Sequence, residues 1–415
     1  MARRVTEFLA MQTAPEPDAE GQTSSGALSL VSSPAPPFNT YCVKIPGGGL
    51  STAYLVGQNV PGTDDLGFCV HVRFGGTWSP SGAMTWTFWQ LEAVAGSAIV
   101  QLELKETVGG AIHLNIRDKN GAIALQFNNA LSDANTKWLR IEGSFARDTN
   151  ESIYVEVYKD HVLHDSQTSA ATFDFSEGTG DVRQHLFGQP GSDPPVANPT
   201  DTYFYICALM AGCSGTGDLL GGCKILEVRA GNTGSDPDCD ETGTPGGQTL
   251  TSGTYDDLSD DTGASYIQYT SIARADKGGA VKFDDGSAAG PSGVDLGDFE
   301  LVAFKYVFWG EGSGTQAMAE VIYGRFSGST YTVDTTIGGT HEYHRVYHQD
   351  LEDTPRYVPD ADEFAVAGMW NKHSGSPVGQ VTKMYECWGL GLLIPTVTER
   401  VVTVGKIIHK SKVVI

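Results

Sequence analysis

Apolar and polar residues alternate along most of this chain with a period of two. "GFCVHVRF" (67–74), "MTWTFWQLEA" (84–93), "SAIVQLELKE" (97–106) and "GAIHLNIRDKNGAIALQF" (110–127) set the pattern. "KWLRIEGSFA" (137–146), "ESIYVEVYKDHVLHDS" (151–166) and "TYFYICALMAG" (202–212) continue it. The runs are short, rich in Val, Ile, Tyr, Phe and Trp, and bounded by Gly, Asn, Asp and Ser. Such segments make half-buried strands, because successive side chains of a strand point to opposite faces of the sheet. No stretch sustains the 3.6-residue period of a long amphipathic helix. "DKNGA" (118–122) predicts a hairpin, since Asn-Gly tolerates the positive φ angles of a type I′ turn. Within "MTWTFWQLEA", strict alternation puts Trp86 and Phe88 on one face and Trp89 on the other, one set forming core.

The strands of residues 38–232 suit a two-sheet antiparallel sandwich of jelly-roll type. An acidic, Gly/Pro-rich linker, "TGSDPDCDETGTPGGQTL" (233–250), leads to a second β-rich block, 251–396, which again suits a sandwich. Residues 1–37 read as an arm, in which "RRVTEFLAM" is followed by Pro/Ser/Gly-rich connectors. Such a segment orders only when it docks on something. Residues 397–415 are a basic tail. Its last sixteen residues, "RVVTVGKIIHKSKVVI", hold Arg400, Lys406, Lys410 and Lys412 and no acidic residue. Their density of Val and Ile predicts a strand that pairs with a sheet edge of this chain or of a neighbour. The fold class is all-β: two jelly-roll-like β-sandwich domains with an extended N-terminal arm and a basic C-terminal β tail.

Composition narrows the function. A chain of 415 residues with 27 basic and 50 acidic side chains carries a net charge of −23, which repels phosphate backbones and argues against nucleic acid as a partner. No run reaches the roughly 18–20 apolar residues of a membrane-spanning helix. Thr6, Glu7 and Gln12 interrupt the N-terminal stretch where a secretory segment would be apolar, so assembly in the cytoplasm is expected. The seven cysteines, Cys42, Cys69, Cys207, Cys213, Cys223, Cys239 and Cys387, are sparse, odd in number and contain no C-x-x-C pair. Reduced, mostly buried thiols are expected.

Candidate chemistry is thin. Paired carboxylates of a glycoside hydrolase would alternate along one strand; Glu103 and Glu106 of "QLELKE" sit three apart and so on opposite faces. There is no phosphate-binding G-x-x-x-x-G-K-[ST] loop and no G-x-S-x-G nucleophile turn. "HEYHRVYH" (341–348) misses the H-E-x-x-H zinc pattern at Arg345. Its flanks predict a strand, on which His341 faces away from His344 and His348, and those two lie about 13 Å apart at roughly 3.3 Å per residue. A single zinc at ~2 Å from each cannot join them. In the linker, Asp236, Asp238 and Asp240 occupy positions 1, 3 and 5 of a calcium loop, but Glu241 and Gly247 stand where Gly and Glu are required. These aspartates are the candidate metal ligands, calcium the candidate ion, and a solvated linker the alternative. No other cofactor is expected. Trp78, beside Trp86 and Trp89, is the candidate for stacking on a sugar.

Two resemblances add to this. Trp138, Ile141 and Phe145, followed by Val155, Val157 and Tyr158, resemble the strand pair of the concanavalin A-like (laminin G-like) jelly-roll superfamily. Lys159-Asp160-His161 stands where that superfamily usually has an Asp-Gly turn. The second block, with "YDDLSDDTGASYIQYTS" and "HRVYHQDLEDTPRYVPDADEFAVAGMW", resembles a β-sandwich of tailed-phage structural proteins, as does the opening "RRVTEFLAM". The resemblances imply a non-enzymatic structural component of a tailed-bacteriophage virion: a head decoration, neck, tail or fibre protein. It would be made in the host cytoplasm and assemble with copies of itself and other virion proteins. Arg3, Arg4, Arg400, Lys406, Lys410 and Lys412 would be its charged assembly contacts. The alternative is a carbohydrate-binding module or receptor-binding adhesin that holds a host-surface glycan with the loops of the first jelly roll, Trp78 among them.

Overall fold

The computed structural model describes residues 7–9, 23–25, 29–36, 42–46, 54–57, 64–75, 84–94, 96–106, 112–128, 137–178, 180–187 and 203–212 of a first unit. In a second unit it describes 224–229, 248–250, 267–270, 281–282, 299–313, 318–323, 330–335, 342–348, 368–373, 381–395, 401–404 and 407–410. The division falls between Gly221 and Gly222. Every regular element among the described residues is a β-strand, and every pairing is antiparallel.

In the first unit the strands are β1 (Glu7–Leu9), β2 (Thr23–Ser25), β3 (Ser29–Val31), β4 (Cys42–Pro46), β5 (Tyr54–Val56) and β6 (Asp65–Gly75). Then come β7 (Met84–Ala93), β8 (Ala98–Glu106), β9 (Ile112–Asp118), β10 (Ile123–Phe127), β11 (Leu139–Ala146) and β12 (Thr149–Glu151). The unit ends with β13 (Ile153–Lys159), β14 (Val162–Thr168), β15 (Phe173–Asp174), β16 (Val182–Phe187) and β17 (Tyr203–Gly212). One eight-stranded sheet runs β14-β13-β11-β6-β17-β4-β3, with β1 also on β17; a seven-stranded sheet runs β10-β9-β8-β7-β16-β5-β2. Strands far apart in sequence are neighbours in both, as in a jelly roll.

Alternation builds the core. In β13 the residues at every second position, Ile153, Val155 and Val157, are fully buried. They join Phe68, Val70, Val72 and Phe74 of β6 and Leu102, Leu104, Leu114 and Ile116 of β8 and β9 in one cluster between the sheets. Phe68 lies 4.8 Å from Trp89, and Phe74 meets Phe88 edge-on at 5.3 Å, spacings at which aromatic rings attract beyond their area burial. Gly143 makes this packing close: a Cβ there would stand 2.5 Å from two ring carbons of Phe68.

Several sequence expectations change. Trp86 and Trp89 are both fully buried, because a bulge between Thr87 and Trp89 adds a residue to β7 and turns Phe88 and Trp89 inward together. Their indole N–H groups donate to Phe187 O (3.3 Å) and Gln184 Oε1 (3.2 Å). The hairpin at 118–122 is not type I′: Gly121 (φ 78°) has positive φ and Asn120 does not, and Gly121 N donates to Asp118 O at 3.0 Å. It is a three-residue loop closed by one left-handed glycine, with Asp118 Oδ1 accepting from the amides of Asn120 and Ala122. The left-handed pair is at Asp160 (φ 45°) and His161 (φ 69°), the turn between β13 and β14. Within residues 1–37, the described strands β1, β2 and β3 pair with β17, β5 and β4 of their own unit.

The second unit contains a six-stranded sheet centred on Phe299–Ser313 and Val381–Pro395, a four-stranded sheet, and a two-stranded hairpin. The strand Lys224–Arg229, assigned from sequence to the first block, ladders with Val381–Pro395 here. Gln248–Leu250, at the end of the linker, pairs with Ile267–Thr270. "HEYHRVYH" yields the strand Glu342–His348, in register with Phe304–Gly310. The basic tail folds on itself, Val401–Val404 pairing with Ile407–Lys410.

Candidate functional site

The inward residues of the seven-stranded sheet are apolar but for Gln184, which meets Trp89, and the residues between them present a polar outer face. β7 contributes Gln90 and Glu92; β8 contributes Gln101, Glu103 and Lys105; β9 contributes His113, Asn115 and Arg117; β16 contributes Arg183 and His185. Register aligns them: His185 stands opposite Val56 and Gln90, Gln90 opposite Gln101, and Gln101 opposite Arg117. Glu103 stands opposite Asn115, and Lys105 opposite His113. The face draws on four strands, from Gln90 to His185.

Two carboxylates anchor it, each almost wholly buried. Glu92, 2% exposed, accepts from Arg183 Nε at 2.5 Å, from Gln90 Nε2, and faces His185 Nδ1 at 3.3 Å. Burial pushes its carboxyl up, but the hydrogen bonds from His185, Arg183 and Gln90 together outweigh this and hold it below the ordinary value of 4.5. Glu103 accepts from Asn115 Nδ2, Arg117 Nε and Arg117 Nη2, each at 2.8 Å. The two centres are linked on one side by Gln101 Nε2 donating to Gln90 Oε1 at 3.1 Å. His185 stacks on Phe187 at 3.8 Å and meets Tyr54 edge-on at 5.7 Å, giving the face an aromatic flank.

Hydrogen-bonding capacity is left over here. His113 Nδ1, Asn115 Oδ1 and His185 Nε2 are buried and have no partner among the described residues. Asn115 Nδ2 must face Glu103, because a carboxylate only accepts, and this leaves Oδ1 as an unmet acceptor. With Nδ1–H of His185 toward Glu92, Nε2 is likewise an acceptor. Native folds satisfy nearly all such atoms, so three on one sheet face are unusual.

The outer face of the eight-stranded sheet is different. Arg140 Nε lies 2.6 Å from Glu142 Oε1, its guanidinium lies 3.7 Å over the Tyr158 ring, and Tyr154 OH donates to Glu156 at 2.5 Å. Burial, then the charges of Arg140 and His161, holds His71 well below the ordinary value of 6.5, and so neutral. Burial also pushes the Cys42 thiol up to about 12, against the pull of Arg73. Cys42 and Cys69 are both buried and neither is in a disulfide. On this face Arg140 and Glu142 compensate each other's charge.

Of the residues singled out from sequence, Lys410 closes the terminal hairpin. Trp78, Asp236, Asp238, Asp240, Arg3, Arg4, Arg400, Lys406 and Lys412 lie outside the described residues. Among the described residues no group of three or more His, Cys, Asp or Glu side chains is placed to hold a metal. Sequence reasoning missed Gln90, Glu92, Arg183 and His185. Their signal is the charged, amide or imidazole side chain at every outward position of "WQLEA", "QLELK", "HLNIR" and "VRQHL".

No family model matches this sequence, and no curated protein does. Similar solved structures include the PL-14 alginate lyase of Aplysia kurodai, 12% identical over 51% of this chain and 99% of that one, with a TM-score of 0.38. A carbohydrate esterase of the Shiga toxin-encoding bacteriophage phi24B matches at 12% identity over 51% and 99%, TM-score 0.33. The legume lectin-like domain of Entamoeba histolytica matches at 11% over 51% and 98%, TM-score 0.32.

Proposed function

We propose that the first unit binds saccharide on the outer face of its seven-stranded sheet. The observation that carries this is the trio of buried polar atoms, His113 Nδ1, Asn115 Oδ1 and His185 Nε2, unpartnered among the described residues on one polar face. Sugar hydroxyls supply the donors, and the rings beside His185 offer an apolar surface to a pyranose face. Each buried acceptor left unmet costs about 1–3 kcal/mol, which a hydroxyl donor would relieve on binding. The test is a polysaccharide array probed with the full chain and with Gln101→Ala and Lys105→Ala, both at partly exposed positions. At least one glycan should bind, and each variant should weaken it about fivefold or more, the value of one hydrogen bond. Binding unchanged in both variants and abolished by Trp78→Ala would move the site to the loops. No binding at all would refute the reading.

A second reading, a structural component of a tailed-phage particle, draws on the sequence resemblances and on the basic hairpin Val401–Lys410, which forms a sheet of its own. It is compatible with the first, since a glycan-reading unit on a particle is an adhesin. Deleting residues 400–415 should leave both units folded and abolish incorporation into particles; normal incorporation would refute it.

A further inference from the structure

The arginine and glutamate charges on the polar face of the seven-stranded sheet cancel in pairs. Arg117 gives Nε and Nη2 to the two oxygens of Glu103, both at 2.8 Å, and its Nη1 to Gly121 O. Arg183 gives Nε to Glu92 at 2.5 Å. Glu103 is 4% exposed and Glu92 2%, so an anion from solvent could take either arginine only by leaving a buried carboxylate unpaired. Lys105, partly exposed, is the one lysine or arginine of this face outside an ion pair among the described residues.

Amides stand between the pairs: Gln101 donates to Gln90, and Gln126 of β10 lies opposite Asn115. An amide both donates and accepts, as a hydroxyl does, whereas a carboxylate or sulfate only accepts. With Asn115 Nδ2 on Glu103 and His185 Nδ1–H toward Glu92, Asn115 Oδ1 and His185 Nε2 are acceptors, unpartnered among the described residues. An acidic group would set lone pair against lone pair at both, while a hydroxyl brings each a donor. On the reading of this face as a saccharide site, we infer that its ligand is a neutral saccharide, and that chains bearing uronate or sulfate groups are rejected. The chain's net charge of −23 adds repulsion toward a polyanion. A neutral ligand opens no ion pair, so its affinity should be nearly insensitive to salt.

The test measures binding of the full chain to a glucan, a galactan and a mannan, each as the native polymer and after oxidation of its primary hydroxyls to carboxylates. It is run at about pH 8, where an ordinary imidazole is neutral. At least one native polymer should bind, and its oxidised form should bind about tenfold or more weakly, the value of a hydrogen bond exchanged for a repulsion. Between ~20 and ~200 mM salt the affinity for the native polymer should change less than about twofold. Lys105→Gln, which keeps a donor and drops the charge, should stay within about twofold of the parent, whereas Gln101→Ala should weaken binding. An oxidised polymer bound as tightly as its native form, with affinity that falls in high salt or in Lys105→Gln, would overturn the neutral specificity and leave the face as the site. Binding unchanged by Gln101→Ala, or no binding to any polymer, would overturn the reading of the face and the specificity with it.

Discussion

Replacing Glu92 by Gln keeps the shape of the residue and removes its charge. The carboxylate is 2% exposed and holds Arg183, His185 and Gln90, so the substitution weakens three contacts at once. Hydrogen bonds to a charged group contribute about 1.5–3 kcal/mol, and removing one partner of a fully buried pair costs about 3–5. Arg183 keeps 27% of its side chain exposed and can turn to water, which lowers the cost to about 1–2 kcal/mol, or roughly 5- to 30-fold in the equilibrium between open and closed states. Amide hydrogen exchange of peptides covering β7 and β16 reads this factor directly. The sign with pH is fixed: the Glu92 carboxyl lies below its ordinary 4.5 in the folded chain, so its contribution is present above that pH and is lost as pH falls through the folded value. Exchange corrected for its intrinsic rate should separate variant from parent at pH 7, and the gap should narrow at acid pH below 4.5. An equal gap at both pH values would refute the ionic origin, and no gap at pH 7 would refute the network itself.

Gly143→Ala places a methyl group 2.5 Å from the Phe68 ring, which is itself fixed by Trp89, and should destabilise the first unit by about 1–3 kcal/mol; Phe68→Leu in the same chain should recover part of that loss, read by urea melts. His161→Gly should stabilise by roughly 0.5–1 kcal/mol in the same assay, since a glycine takes φ 69° without steric cost. Because the His71 value lies well below 6.5 in the folded chain, the unfolded chain gains a proton that the folded one refuses. Stability is therefore intact well above 6.5 and should fall as pH drops through it, the slope approaching about 1.4 kcal/mol per unit roughly one unit lower, a slope that His71→Gln should flatten.

Strand existence was legible because half-buried sheets write a period of two into the sequence, as in "IYVEVYK". The exceptions have local causes. Trp89 was misplaced by the bulge in β7, an extra residue that periodicity cannot register. The hairpin at Asp118 took a three-residue form because the Asp118 carboxylate caps its amides, so Asn120 needs no positive φ. Lys224–Arg229 reads as one more strand of the first block, and only its long-range pairing with Val381–Pro395 assigns it elsewhere. The candidate face was hidden for the same reason. Arg183 and His185 lie about ninety residues from Glu92, and a sequence shows the outward polarity of each strand but not which strands stand side by side.

The most direct measurement is hydrogen-exchange footprinting of the full chain with and without a bound polysaccharide. Saccharide binding on the seven-stranded sheet predicts slowed exchange in peptides spanning 84–94, 98–106, 112–118 and 182–187. Protection confined to the segment around Trp78, or no protection at saturating polysaccharide, would contradict it.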